Sequence, residues 1–424
     1  MAAFPKVKLA ECVDLLAGFA FKSQQFTDRP DDIPLVKGEN VSQGGILWEI
    51  SKRWSAVDWP NLEKFQLCPA DVVVAMDRPW VPAGLKWAYI RIDDPRALLV
   101  QRCSRLRSNT PRLDQNFLRF VIGGPGFESY VKPITTGVNV PHISGKQILD
   151  YEFALPPLTV QQRIAGILSA YDELIENSQR RIRILESMAR ALYREWFVHF
   201  RFPGHETHPR IASPLGEIPQ GWEVNTIQGF GKVITGKTPS KANAAYFGDE
   251  VQFLKTPDMH GNMFILGTNE CLSLSGAASQ ANKTLPVGSI CVSCIGTIGV
   301  VSITTEECQT NQQINSVVLA NPASREFLFL RLQDAKQTLE NLGSNGATMG
   351  NVNKGKFEAM EIISPPTDLL TRYHQIATPM FMQILALARQ TQNLQSTRDL
   401  LLPRLLSGQI GVESAEDPAF ALRE

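Results

Sequence analysis

The stretch Gly231-Lys-Val-Ile-Thr-Gly-Lys-Thr238 has the spacing of a phosphate-binding loop, in which main-chain N–H groups and a lysine hold nucleotide phosphates. Such a loop needs a strand before it and a helix that begins at the lysine. Here Pro239 follows at once and removes an N–H donor, and Val233 and Ile234 place β-branched side chains inside the loop. The acidic partner of the motif would have to come from the distant segment Val72–Asp77. An ATP-binding enzyme is therefore an alternative interpretation only.

The remaining chemical motifs are incomplete. Ser364-Pro-Pro-Thr367 is similar to the motif with which amino-methyltransferases hold a flipped base, but it lacks the aromatic residue that stacks on the base. Cys291 and Cys294 form a single pair without a second pair at zinc spacing, and His205 and His208 have no marked partners. The sequence therefore predicts no catalytic residues and no metal site.

Composition restricts the function less than the motifs do. Lys and Arg together number 42, as do Asp and Glu, so the net charge is zero and any contact with nucleic acid must be local. The seven cysteines are spread thinly and no signal peptide opens the chain, which favours a reducing, cytoplasmic location. The uncharged stretch between Lys283 and Glu306 is rich in Gly, Ser and Thr, which predicts two buried strands rather than a membrane helix.

The longest regular pattern is a heptad seam that runs from Ile164 to Trp196. Apolar or small residues alternate there in steps of four and three, which is the spacing of a coiled coil rather than that of an ordinary surface helix. The seam residues are Ile164, Leu168, Tyr171, Ile175, Ser178, Ile182, Leu185, Ala189, Leu192 and Trp196. A helix with so narrow an apolar face needs a partner helix.

The chain contains that partner, because it repeats itself. Pro156-Pro157 is followed by Pro365-Pro366 at a separation of 209 residues, and the same offset relates Leu185 to Leu394. The first seam then falls on Tyr373, Ala377, Met380, Ile384, Leu387, Thr391, Leu394, Arg398, Leu401 and Leu405. Pro379 lies near the start of this second helix and Pro403 near its end, which predicts a kink or a late start.

We therefore expect an α+β fold in which two repeated domains are separated by two long antiparallel helices, with a pseudo-two-fold axis. About 40 helical residues at about 1.5 Å each would make a coiled-coil spacer of about 60 Å, longer than the ~34 Å of one turn of B-DNA. Strands are predicted at Asp71–Met76, Trp87–Ile92 and Ala97–Cys103, and helices at Gln115–Ile122 and Arg325–Leu342.

Several motifs carry a resemblance to one family. Leu155-Pro-Pro-Leu-Thr-Val-Gln-Gln-Arg-Ile-Ala-Gly-Ile-Leu168 and Leu192-Tyr-Arg-Glu-Trp-Phe197 resemble the first spacer helix of the DNA-specificity (S) subunit of type I restriction–modification enzymes. Leu400–Ile410 resembles the end of its second spacer, and Gly216–Trp222 the segment before its second target-recognition domain. Stretches similar to those common inside such domains are Gly236–Ser240, Gly296–Gly299 and Thr310–Gln312.

The resemblance implies five segments. They are target-recognition domain 1 (1–155), spacer helix 1 (156–202), target-recognition domain 2 (203–364), spacer helix 2 (365–411) and a frayed C-terminal tail (412–424). Each recognition domain would read one half of a bipartite, asymmetric site in double-stranded DNA. The chain would be non-catalytic and would direct adenine-N6 methylation and ATP-dependent restriction by two methyltransferase (M) subunits and by motor-nuclease (R) subunits. The resemblance places S-adenosylmethionine, ATP and Mg²⁺ on those partners and no cofactor on this chain. A coiled-coil adaptor without a DNA role is the other alternative.

Candidate DNA contacts differ between the two domains. Arginine suits guanine and lysine suits phosphate, whereas Asn and Gln can read adenine. The candidates of the first domain are Arg78, Lys86, Arg102, Arg105, Arg107 and, for close approach of the main chain, Gly137. Those of the second domain are Lys237, Thr238, Lys255, Thr256, His260, Thr297, Asn311, Gln312, Gln313, Gly346 and Thr348. Any single one could instead be a solvated side chain or a turn cap.

Overall fold

The computed structural model describes residues 4–82, 84–135, 141–344 and 350–412. The chain divides into two compact units. Unit 1 comprises Met1–Ile175 and Asn393–Glu424, and unit 2 comprises Glu176–Gln392. In the described part of the chain, no helix is long and apolar enough to cross a membrane.

Unit 1 is built mainly from short strands. The strands are β1 (Lys6–Lys8), β2 (Val13–Ala17), β3 (Ile33–Val36), β4 (Gln43–Gly44), β5 (Arg53–Trp54), β6 (Gln66–Leu67), β7 (Val72–Ala75), β8 (Trp80–Val81), β9 (Gly84–Leu85), β10 (Trp87–Tyr89), β11 (Ala97–Leu99), β12 (Cys103–Ser108) and β13 (Glu152–Ala154). The helices are α1 (Gln115–Gly123), α2 (Pro125–Ile134), α3 (Gly145–Leu149) and the first part of α4 (Leu158–Tyr193). The predicted helix at Gln115–Ile122 is thus confirmed.

Two sheets form the centre of unit 1. The five-stranded sheet has the order β2-β12-β7-β10-β4, and the four-stranded sheet has the order β5-β3-β11-β6. All pairs are antiparallel except β10 with β4 and β3 with β11. Every residue of β7 is buried, as expected of a central strand with both faces covered. A smaller sheet pairs β1 with β13 and ties the start of the domain to its end.

Unit 2 is likewise built from short strands and helices. Its strands are β14 (Arg210–Ser213), β15 (Gly216–Pro219), β16 (Glu223–Thr226), β17 (Gly231–Thr235), β18 (Phe247–Gly248), β19 (Val251–Leu254), β20 (Phe264–Ile265), β21 (Cys271–Leu272), β22 (Ile290–Ser293), β23 (Val301–Thr304), β24 (Cys308–Thr310), β25 (Ile314–Leu319) and β26 (Glu361–Ser364). Its helices are α5 (Ile227–Phe230), α6 (Thr256–Met259), α7 (Leu274–Ala278), α8 (Arg325–Asp334), α9 (Lys336–Gly343), α10 (Lys354–Glu358), the rest of α4 and the first part of α11 (Thr367–Leu406). Strands β22 and β23 confirm the prediction for the uncharged stretch.

The sheets of unit 2 repeat those of unit 1. Its five-stranded sheet has the order β17-β25-β22-β23-β20, again with one parallel pair at the end, β23 with β20. Its four-stranded sheet, β18-β21-β19-β24, again contains one parallel pair, β19 with β24. The predicted duplication of the chain is therefore confirmed at the level of topology.

The long helices contribute many residues of their predicted seams to the cores of the units. In unit 1, Ile164, Leu168 and Ile175 of α4 lie in one apolar core with Leu394 and Leu405 of α11. In unit 2, the other end of α4 shares a core with the first part of α11, and this core includes the seam residues Ala189, Tyr373, Ala377 and Ile384. The predicted seam residues Leu192 and Met380 are only partly buried there, and their neighbours Tyr193 and Phe381 are buried instead. Unit 1 thus contains the start of α4 and the end of α11, and unit 2 contains the end of α4 and the start of α11. This is the arrangement of an antiparallel helix pair.

Three sequence predictions need correction. The predicted strand Ala97–Cys103 is two strands, β11 and β12, because the chain turns at Arg102 with φ +68°. The predicted helix Arg325–Leu342 is interrupted at Ala335 between α8 and α9. The late start predicted for the second helix is wrong, since α11 begins at Thr367 and continues past Pro379. Pro379 is exposed on the surface of α11.

Candidate nucleic-acid interface

In unit 2 the loops that follow the central strands meet at one edge of the sheets. The Lys237 N–H donates to the Thr310 carbonyl at 2.9 Å, and the Cys294 N–H donates to the Gln313 carbonyl at 2.7 Å. The Thr238 hydroxyl donates to Gln312 Oε1 at 2.7 Å. These bonds bring together the segments after β17, β22 and β24, which carry most of the candidates of the second domain. We call this cluster of loops, 236–238, 294–299 and 311–313, the unit 2 edge.

A buried amide network supports the unit 2 edge from below. Gln280 Nε2 donates to the Lys237 carbonyl and to Gln309 Oε1, both at 2.8 Å. Gln309 Nε2 in turn donates to the Ala277 carbonyl at 2.9 Å. Sequence reasoning missed both glutamines, because glutamine is buried only rarely. Buried glutamines are hydrogen-bonded, as these two are. The network restrains the main chain of Lys237, so that the exposed Lys237 side chain extends from a fixed backbone position.

Gly236 is required at this edge by close approach. A Cβ atom there would lie 2.1 Å from Thr310 Oγ1 and 2.2 Å from the Asn311 carbonyl oxygen. No residue with a side chain fits without a shift of the main chain. Gly18 occupies the equivalent place in unit 1, where a Cβ would lie 2.3 Å from the Val100 carbonyl oxygen.

The other candidates of the second domain are divided between exposed and engaged groups. Lys255 forms an ion pair with Glu270 and holds the pKa of that carboxyl below its usual value, so its charge is partly compensated. Thr256 is buried at the start of α6. His260 and Thr297 are exposed, whereas the side-chain amide of Asn311 donates to Gln313 Oε1 at 2.9 Å.

The phosphate-loop interpretation of Gly231–Thr238 is wrong in this geometry. Gly231–Thr235 forms the extended strand β17, paired in register from Gly231 with Leu319 to Thr235 with Asn315. An extended strand cannot wrap its N–H groups around a phosphate. Residues 236–243, all of them described, contain no helix that could begin at Lys237.

Unit 1 carries its charges at the corresponding loops. The Met76 N–H donates to the Arg102 carbonyl at 2.8 Å, and the Arg78 N–H donates to the Pro141 carbonyl at 2.7 Å. Lys86 Nζ donates to the Gly38 carbonyl at 2.7 Å. Arg102 Nη1 lies 3.1 Å from Asp77 Oδ2, and both Arg78 and Arg102 are exposed. We call the loops 76–78, 100–102 and 141–142 the unit 1 edge.

Two predicted arginines lie away from this edge, on β12. Arg107 makes a two-point ion pair with Asp71, which is 2% exposed, and this hydrogen bonding raises the pKa of Arg107. Arg105 donates to the Lys64 carbonyl at 3.2 Å, and burial lowers its pKa. Arg107 is therefore occupied by a structural partner, and its role in DNA contact stays a prediction without geometric support.

The remaining candidates are simple to place. Gly137, Gly346 and Thr348 lie outside the described residues. Cys291 and Cys294 are buried, and burial raises their thiol pKa values to about 12 and about 11, which leaves them unreactive. Among the residues described, no three His, Cys, Asp or Glu side chains are grouped so that they could hold a metal ion.

Comparison with known proteins gives consistent matches over nearly the whole chain. The model of the type I restriction modification DNA specificity domain matches residues 3–187 and 219–378. The HindI type I restriction enzyme specificity subunit of Haemophilus influenzae is 33% identical, over 91% of this chain and 95% of that protein. The MjaIX specificity subunit of Methanocaldococcus jannaschii is 25% identical, over 70% of this chain and 69% of that protein. The crystal structure of an S subunit from M. genitalium has the same fold, with a TM-score of 0.63 at 13% identity over 95% of this chain and 96% of that one.

Proposed function

This chain belongs to the family of type I restriction–modification DNA specificity subunits, and we propose from that premise that it recognises a bipartite, asymmetric DNA site. Unit 1 reads one half-site and unit 2 reads the other. The observation that carries the proposal is the repeated topology, in which equivalent strands end at equivalent loops with side chains suited to DNA. Two copies of one scaffold with different loop residues are suited to two different sequences.

The chain supplies no catalytic group in this proposal. Two methyltransferase subunits add the methyl group to adenine N6, and motor-nuclease subunits carry out ATP-dependent cleavage. S-adenosylmethionine, ATP and Mg²⁺ belong to those partners. The strand conformation of Gly231–Thr235 supports this assignment, because the stretch with phosphate-loop spacing is not folded as a phosphate-binding loop.

The outer face of α4 is the proposed docking surface for the methyltransferase subunits. In unit 2 this face exposes Ile184 and Met188, each 53% exposed, one turn apart on a surface that also carries Arg180 and Arg183. Apolar side chains with a charged surround are typical of a protein interface. Substituting Met188→Glu should weaken co-purification of the methyltransferase subunit, whereas Arg183→Glu tests the charged part of the face.

An exchange of domains tests the division of labour. Residues 1–155 are replaced by those of another family member, and methylated adenines are mapped in DNA modified by the hybrid with its methyltransferase partner. We expect one half-site to change and the other to remain. A change in both half-sites would contradict the proposal, and a complex that methylates no DNA would favour the adaptor alternative.

A further inference from the structure

The unit 1 edge holds two arginines in a backbone conformation that side chains rarely adopt. Arg78 has φ +46° and Arg102 has φ +68°. Left-handed conformations disfavour residues other than glycine, and they persist at sites where the surrounding structure imposes them. The described chain contains only two further such residues, Ala70 and Phe200, so half of them lie at this edge.

The repeat shows that Arg78 is not needed for its turn. The Arg78 N–H donates to the Pro141 carbonyl, and its counterpart in unit 2, the N–H of Gly296, donates to the Gly350 carbonyl. Gly296 also has a left-handed conformation, with φ +76°. The same turn is thus made by glycine in unit 2, where it is free of strain. Unit 1 places a cationic side chain at the position that the fold would fill more easily with glycine.

Arg102 is held by a small polar cluster. Its Nη1 lies 3.1 Å from Asp77 Oδ2, and Asp77 Oδ1 lies 2.5 Å from His142 Nδ1. The Arg102 side chain remains 69% exposed, whereas Asp77 is 19% exposed. One nitrogen of the guanidinium group is therefore anchored, while the side chain as a whole stays largely exposed. Because the Arg102 side chain is already restrained, it loses less conformational entropy when it binds.

The chemistry of this cluster fits a base better than a phosphate. A phosphate close to Arg102 would also approach the carboxylate of Asp77, and the two like charges repel each other. The major-groove edge of guanine is uncharged and offers two acceptors, O6 and N7, that suit the planar fork of arginine. Within the described ranges, Arg78 has no carboxylate partner, so its uncompensated charge suits a phosphate.

We propose that unit 1 reads a guanine through Arg102, which Asp77 positions, while Arg78 contacts a neighbouring phosphate. This rests on the proposed function, and it assigns a base type to one half-site. Arg102 determines specificity at one base pair. Asp77 is a positioning residue, and Arg78 contributes affinity without sequence preference.

The test uses the chain in complex with its methyltransferase partner and a DNA library randomised around the wild-type site. Arg102→Lys keeps the charge but loses the fork. We expect one position of one half-site to lose its preference for guanine by roughly 5- to 150-fold, with the other half-site unchanged. Arg112→Lys is the matched control, because Arg112 is exposed and lies beyond the opposite end of β12. An unchanged motif, or an equal loss on all sequences, would overturn the assignment of Arg102.

Arg78→Gly tests the second assignment and cannot fail through misfolding of the turn, since glycine is the natural residue at the equivalent place. We expect weaker binding to all sequences and a salt dependence reduced by about one ion, with a thermal midpoint no lower than that of the wild type. Unchanged affinity and salt dependence would overturn it. If the wild-type complex methylates no DNA, the proposed function itself fails, which is a different outcome from a motif that ignores Arg102→Lys.

Discussion

The two edges share their main-chain bonds and differ in their side chains. The Met76 N–H donates to the Arg102 carbonyl in unit 1 as the Cys294 N–H donates to the Gln313 carbonyl in unit 2, and beside the unit 1 edge the Phe19 N–H donates to the Leu99 carbonyl as the Lys237 N–H donates to the Thr310 carbonyl. The last of these pairs shows the difference in side chains. The first residue is aromatic and the second is cationic. Because the loops are held mainly by main-chain hydrogen bonds, the exposed side chains can change without loss of the scaffold. The comparison shows how one fold, used twice, can present two different surfaces.

The side chains that the long helices contribute to the two cores differ as well. Unit 2 packs aromatic rings against each other, with Phe381 at 5.7 Å from Phe329 between ring centroids. In unit 1 the long helices contribute mainly aliphatic side chains, of which Leu168 is fully buried, and Tyr171 is an aromatic exception. Larger buried side chains stabilise more, because more apolar surface leaves water. Four single substitutions and one double variant test how far the contrast between the units extends.

Phe381→Ala should have the largest effect. Removal of a fully buried ring leaves a cavity and should lower the free energy of unfolding by about 3–5 kcal/mol. Leu168→Ala should cost less, about 2–4 kcal/mol. Chemical denaturation measures both, and hydrogen exchange shows which unit opens first. Met382→Ala is the control, since Met382 is the next residue and is exposed. A greater loss from Leu168→Ala would contradict the expectation that the aromatic side chain on the long helices stabilises more than the aliphatic one.

Asp71→Ser should have an intermediate effect. Arg107 would lose its two-point partner, and since the Arg107 side chain is 35% exposed, water would offset part of the loss, leaving about 2 kcal/mol. The equivalent positions in unit 2 are Ser289 and Val318, by the register of the central strands.

The double variant Asp71→Ser, Arg107→Val should therefore be more stable than Asp71→Ser alone, because no unpaired charge remains. Thermal denaturation of the single and double variants gives the coupling. If the double variant is no more stable than the single one, the ion pair does not replace the uncharged pair of unit 2.

Gly236→Ala should lower the free energy of unfolding by about 1–3 kcal/mol, because Gly236 is buried and the main chain must shift to admit a methyl group. The shift should nevertheless alter DNA recognition by unit 2 alone, as Lys237 and Gln312 move together. Mapping of methylated adenines would show a relaxed second half-site. Gly267→Ala is the control, since a Cβ there meets nothing within 4 Å. Relaxation of both half-sites would mean that the edges are not independent.

The sequence offsets explain which parts of the fold could be predicted. The separation of 209 residues holds for Pro156 and Pro365 and persists along both helices, because a seam tolerates no insertion. Val13 of β2 corresponds instead to Gly231 of β17, a separation of 218, because the loops between them differ in length. The two long helices were therefore predictable from the chain. Which strand of one domain corresponds to which strand of the other was not.

The site was predictable only in part. The polar loop residues Lys237, Thr238 and Gln312 were candidates from their motifs, and the structure shows that the two loops lie together. Gln280 and Gln309 were missed, since a glutamine far along the chain gives no sign that it will be buried beneath a loop. The described site residues remain predicted DNA contacts until DNA binding is measured.

The sequence by itself determined the helices, the seam, the duplication and the family, because these follow from local spacing and from motifs that are contiguous along the chain. Only the tertiary structure decided which arginines face outward. Arg102 and Arg107 lie five residues apart, yet the first ends in solvent beside Asp77 and the second meets the buried Asp71. Strand register brings Asp71 next to Arg107 from 36 residues away, and a left-handed turn directs Arg102 to the edge. Strand register and backbone conformation depend on residues far apart in the chain, so they cannot be read from the type and spacing of neighbouring residues.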